Sequence, residues 1–177
     1  MGGDLSAPLN PAGEFVAEPN LTASRRAELI NVIELAPQEL ARAVEGLSET
    51  QLDAKYRNWS IRQIAYHLAD SHVHSYIRCK WTLTEDQPLI KAYDENRWAE
   101  LPDVQSGDLE PPLAMMAGVH QCWVKLLRSM NAANFDRSFN HPETGKAVVL
   151  SDALVYYAWH CRHHTAQILW LRQSRGW

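Results

Sequence analysis

Trp159-His160-Cys161-Arg162-His163-His164 lies inside the last helical pattern of the chain, which runs from Ser151 to about Gln173 and decides how the fold is read. His160 and His164 stand four apart, so on a helix both imidazoles leave one face, one turn from each other. That face also carries Ala153, Tyr157, Ile168 and Leu171, the stripe that a rotation of about 100° per residue turns inward. Histidines on an inward stripe cost desolvation unless something binds them. Two readings stand at this point. Either the stripe is a tyrosine-rich packing face, or the pair holds one metal ion inside a bundle of helices.

The chain has 177 residues and a mass of 20.1 kDa, enough for a core of its own, and is read as a single domain over 1–177. A net charge of −4 and a pI near 6.0 give no basic field for nucleic acid or acidic lipid. Met-Gly-Gly-Asp-Leu-Ser at the start has neither the basic nor the apolar region of an export signal. No apolar run approaches the roughly 18 residues of a membrane span. Cys79, Cys122 and Cys161 are too scattered for a disulfide framework. These features predict a reducing, cytoplasmic setting. The seven tryptophans read as packing between helices.

Residues 1–21, with three prolines, read as an extended lead-in. The first long helix is expected from about Thr22 to Gly46, kinked or split at Pro37. Ser48 then caps a short turn, Glu49 to Ala54. Ser60 and Gln63 form a capping box for the second long helix, with Trp59 placed to staple onto Ile64; this helix runs to about Glu85. Asp86 to Leu109 is a long connection with a helical turn expected around Asp94 to Leu101. The third helix starts behind Pro111-Pro112 and ends near Met130. Phe135 to Leu150 reads as a turn or small hairpin, after which Ser151 caps the fourth helix. The prediction is an all-α fold: an antiparallel four-helix bundle with long crossover loops and a small hairpin before the last helix.

Three protein ligands are usual for a catalytic zinc-type site. His67 is the best third ligand, because His67, Ser71, His74 and Arg78 form a polar seam beside the apolar sector of Ile61, Ile64, Leu68 and Cys79. Such a seam suits a helix lining a wet cavity. His72 and His120 read as satisfied core residues. His163 and Trp159 form a flank that could meet another helix or a partner chain, and His141, before Pro142, is expected to be exposed.

Asn-Pro-Ala-Gly-Glu-Phe at 10–15, Trp-Ser-Ile-Arg-Gln at 59–63, His-Leu-Ala-Asp-Ser-His at 67–72 and Tyr-Ala-Trp-His-Cys-Arg-His-His-Thr-Ala at 157–166 occur in this order, with shorter matches at 76–78, 83–86 and 90–94. Together they resemble the DinB/YfiT superfamily of bacterial metal-binding four-helix proteins. The likeness is strongest to its YfiT-like branch, described as metal-dependent hydrolases and including the bacillithiol transferases. The resemblance implies that one histidine of the second bundle helix and an H-x3-H pair of the last bind a divalent metal, zinc or nickel. The positions that match are His67, His160 and His164. It also implies a homodimer in the cytoplasm. The chain departs from the pattern at Tyr56-Arg57-Asn58, Tyr66 and His74, which affects pocket shape and substrate.

A divalent ion on three neutral imidazoles keeps its full charge, lowers the pKa of bound water toward about 7 and stabilises a bound thiolate. Imidazole donors suit zinc, nickel, copper or iron. Hydrolysis is therefore expected, with transfer of a low-molecular-weight thiol to a small-molecule electrophile as the alternative and a non-catalytic metal-holding module as a second. Candidate proton-handling groups are His74, Tyr157 and Asp70. Arg78 could hold a substrate carboxylate or a plain salt bridge, and Trp98, with Tyr93 and Lys91, could close over substrate or simply pack. A zincin needs H-E-x-x-H, and Cys161 stands where its glutamate would be. No G-x-S-x-G elbow, P-loop or G-x-G-x-x-G appears.

Overall fold

A cap or a proline opens most of the helices. Thr22 Oγ1 accepts the Arg25 N–H at 3.1 Å and starts α1 (Ala23–Val44). Ser48 and Gln51 close a reciprocal capping box on α2 (Glu49–Leu52). A short ribbon of β1 (Lys55–Tyr56) and β2 (Trp59–Ser60) follows. Ser60 and Gln63 then close the expected box on α3 (Ile61–Thr84). The computed structural model describes residues 6–177.

The long connection after α3 contains the expected turn as α4 (Glu95–Trp98), capped by Asp94, and a second turn, α5 (Pro102–Gln105). At Gly107 a Cβ would lie 2.0 Å from the Asp103 carbonyl oxygen and 2.2 Å from the Tyr66 hydroxyl, so only glycine lets the loop approach α3 this closely. α6 (Glu110–Ser129) carries Pro111 and Pro112 in its first turn, where a missing N–H has no helical partner to lose. After α7 (Ala132–Phe135), β3 (Ser138–His141) and β4 (Lys146–Val149) form the predicted hairpin. Asn140 ties it to the long connection: its N–H donates to the Pro88 carbonyl at 2.8 Å and its carbonyl accepts from Ile90 at 3.1 Å.

α8 (Leu150–Arg175) departs from expectation at its start. Val149 occupies the N-cap without a side-chain bond, and Ser151 instead donates its hydroxyl to the Phe135 carbonyl at 3.0 Å. The helix grows straight out of β4, so the chain reaches it already positioned. Pro37 also does less than expected. It neither splits nor ends α1, but it has no N–H for the Ile33 carbonyl four residues earlier. His120 Nδ1 takes that role at 2.5 Å.

α1 packs on α6 and α8, and α3 packs on α6 and α8. Contacts between them give the directions. Arg172, near the end of α8, donates to the carbonyls of Ala43 and Glu45 at 2.9 Å, so α1 and α8 run parallel. His72 meets His120, and Cys79 clusters with Trp123 further along, so α3 and α6 are parallel as well. Arg128 pairs back onto Glu34 at 2.6 Å, making α6 antiparallel to α1. The bundle is thus two parallel pairs, a correction to the fully antiparallel arrangement expected. Residues 85–109 explain the difference, because a parallel neighbour requires a connection that travels back along the bundle.

Two apolar clusters fill the interior. One gathers Leu40, Ile64, Leu68, Met116, Ile168 and Leu171; the other gathers Leu29, Ile33, Trp123, Leu127, Leu154 and Ala158. Along every long helix the chain passes from one cluster to the other. At that changeover sit His72, His120 and His160, only 0%, 2% and 4% exposed.

Candidate metal centre

His67 leaves α3 and His160 and His164 leave α8 toward a common point. His67 Nε2 lies 3.2 Å from His160 Nε2, and the ring centroids are 5.2, 4.8 and 4.5 Å apart for the 67–160, 67–164 and 160–164 pairs. One ring nitrogen from each histidine falls within 4.8 Å of the others. Two nitrogens bound to one tetrahedral zinc at about 2.05 Å are themselves about 3.3 Å apart, so the pair of Nε2 atoms already has the spacing of two ligands.

Hydrogen bonds engage the Nδ1 atoms of His160 and His164. His164 Nδ1–H donates to Gln167 Oε1 at 2.8 Å, and the same amide donates to His163 Nε2 at 2.9 Å. His160 Nδ1 is engaged by His72 at 3.2 Å. Burial pushes His67 down to about 4 and holds His160 and His164 well below the usual histidine range; neighbouring histidines push the same way. All three rings are therefore held toward the neutral form, the form in which an imidazole binds a cation. The donor set fits a borderline transition ion and lacks the oxygens that magnesium or calcium would want.

The centre forms one wall of a cavity of about 670 Å³. Trp59 covers it, its ring 4.6 Å from His67 and stacked on His164 at 6.2 Å. Tyr156 and Tyr157 approach His160 at 5.6 and 5.7 Å. The lead-in contributes Phe15 to the lining, and Trp159 Nε1 donates to the Gly13 carbonyl at 3.0 Å. The flank of Trp159 and His163 is thus covered by this chain's own N-terminal segment.

The polar seam of α3 divides. His67, Ser71 and Arg78 line the cavity. His74 instead donates Nδ1–H to the Asp70 carbonyl at 2.8 Å and stacks on Tyr93 at 4.3 Å, beside Trp98 at 5.2 Å. Asp70 and Trp98 border a small crevice on the other side of His67. Burial, then Asp103, raises the Asp70 carboxyl to about 6. Arg78 is buried, donates Nη2–H to the Lys91 carbonyl at 3.1 Å, and has no partner at Nε. Among the described residues no carboxylate pairs with it. His141, expected to be exposed, is half-buried at the end of β3 and lines the cavity.

Sequence reasoning missed Gln167, although its i+3 and i+4 spacing from His164 and His163 marks a helical contact. It also left His72 and His120 as isolated core residues, whereas they bond to each other and to the centre.

The bundle and the histidine wall together define the class: the chain belongs to the DinB superfamily, whose sequence profile matches residues 33–168. Among its relatives is YfiT from Bacillus subtilis, 41% identical over 169 residues that cover 94% of this chain and 95% of that protein. The YfiT structure, described as that of a probable metal-dependent hydrolase with an unusual four-helix bundle topology, superposes with a TM-score of 0.92 at 40% identity, covering 96% of this chain and 98% of the other. A Bacillus mycoides protein carrying the same provisional designation is 44% identical over 94% of this chain and 96% of its own length. A mycothiol-dependent maleylpyruvate isomerase shares the fold alone, with a TM-score of 0.56 at 15% identity over 81% of this chain and 60% of that one.

Proposed function

We propose that this chain is a metal-dependent hydrolase acting on a small molecule, with zinc or nickel held by His67, His160 and His164. The observation that carries the reading is the convergence of three neutral imidazoles on the wall of a cavity large enough for a small substrate. Relatives described as metal-dependent hydrolases support it. Bound there, a divalent ion supplies Lewis acidity and lowers the pKa of water at the ion toward about 7.

The chain's own groups do the rest. Gln167 holds His164 and His163 in fixed orientation, and Trp59 shields the rings from solvent on one side. To Tyr157, buried beside His160 and lining the cavity, we assign the holding of a proton at Oη. Asp70 shares a small crevice with His67, and His74 packs with Tyr93 and Trp98 beside it. A buried guanidinium without a carboxylate partner favours an anionic group on the substrate, so Arg78 is assigned to it. A homodimer and a cytoplasmic location belong to the same reading and rest on the family resemblance; among the described residues no helix is long and apolar enough to cross a membrane.

Thiol transfer has no observation of its own in this site, and one assay separates it. Protein purified without added metal should contain one zinc or nickel per chain and turn over members of an ester and amide panel at the same rate with and without a small thiol. His160→Ala should lose both metal and turnover. Metal-free protein, or turnover only when thiol is supplied, would overturn the assignment.

A further inference from the structure

His160 is the near end of a chain of rings that crosses the bundle. Its Nδ1 lies 3.2 Å from His72 Nε2. His72 Nδ1 lies 2.9 Å from His120 Nε2, and His120 Nδ1 lies 2.5 Å from the Ile33 carbonyl oxygen. The last bond sets the direction of all the others. A carbonyl oxygen only accepts, so His120 Nδ1 carries the hydrogen and, in a neutral ring, Nε2 accepts. His72 Nδ1 then donates and its Nε2 accepts. His160 Nδ1 donates in turn, which leaves the Nε2 lone pair facing the metal centre.

Neutral rings are what this interior allows, because all three are buried away from any carboxylate bond. Burial holds His120 down to about 4. The Ile33 carbonyl is free for this role because Pro37, four residues on, has no N–H.

We propose that the Ile33 carbonyl, His120 and His72 form a positioning relay that locks His160 as its Nδ1–H tautomer, so that two histidines outside the ligand set control metal affinity. The relay rests on the three-histidine reading of the centre and adds what orients one of its ligands. Partners of this outer kind are typically worth about 10- to 100-fold in metal affinity.

Ring-nitrogen NMR of the metal-free full chain, labelled at histidine, reads the tautomers directly. Zinc affinity, measured by chelator competition, then compares the wild type with His120→Phe and His120→Gln. The expected result is Nδ1–H at His72, His120 and His160, with zinc bound about 10- to 100-fold more weakly by a folded His120→Phe. His120→Gln should recover part of the loss, since an amide can donate to Ile33 and accept from His72. An Nε2–H tautomer at His160 or His120 in the wild type overturns the relay, as does unchanged affinity in folded His120→Phe. If that variant does not fold, the wild-type tautomers decide alone. A wild-type chain that binds no zinc or nickel at all counts against the metal centre instead, while the tautomers still report on the relay.

Discussion

The Ile33 carbonyl accepts its hydrogen bond from His120, 87 residues away in sequence, in place of the helical donor that Pro37 lacks. A residue usually regarded as a helix defect thereby becomes the anchor of a polar line that ends at the metal centre. Pro37→Ala tests the connection with every histidine intact. The new N–H competes for Ile33, so zinc affinity should fall by about 3- to 10-fold, less than the full loss of an outer partner. Chelator competition checks it, and unchanged affinity would mean that the proline is merely tolerated.

Gln167 is the second orienting group, bonded to His164 and His163 at once. Gln167→Leu should weaken metal binding by about 10- to 100-fold while the thermal midpoint of the metal-free protein barely moves, since Gln167 is only half-buried. Equal affinity in the two proteins would remove Gln167 from the site.

Acid should destabilise the metal-free fold before it touches most carboxylates. His67 and His120 are pushed from 6.5 to about 4, and His72, His160 and His164 lie well below 6.5. In the unfolded chain these groups bind protons from about pH 6.5 downward, so their stabilising effect is complete above that pH and declines as pH falls toward 4. Each unit of difference is worth about 1.4 kcal/mol at most. Asp70, raised from 3.8 to about 6, acts in the opposite sense between those values but is a single group. Urea unfolding at pH 7.5 and pH 5.0 should give a clearly lower midpoint at pH 5.0; coincident curves would contradict the buried neutral cluster.

Arg78 distinguishes substrate binding from structural pairing. Losing a charged hydrogen bond to substrate costs about 1.5–3 kcal/mol, so Arg78→Met should raise KM for anionic substrates by about 10- to 100-fold and leave neutral ones little changed. Stability should stay level or rise, because a buried charge without a carboxylate partner is removed. A drop in stability with KM unaltered would make it structural.

Local signals explain what was legible in the sequence. The Ser60–Gln63 box, the histidine pair of α8 and the seam of α3 are each contained within one helix, where period and capping chemistry suffice. Helix direction was not legible, since residues 85–109 could have turned back at once or travelled the length of the bundle. The His72–His120 bond needs two parallel helices in a particular register, and its anchor needs a proline in a third. No single stretch contains that information. His141 was misjudged for a related reason: the hairpin is tied to the long connection through Asn140 and so faces the cavity.

X-ray absorption at the metal edge of protein purified without added metal reads the ligand set of the histidine centre itself. Three imidazole nitrogens at about 2.0–2.1 Å are expected, with a light-atom neighbour completing the shell, and one imidazole should be lost in His67→Ala. Fewer than three imidazoles in the wild type, or a sulfur ligand from Cys161, would contradict this ligand set.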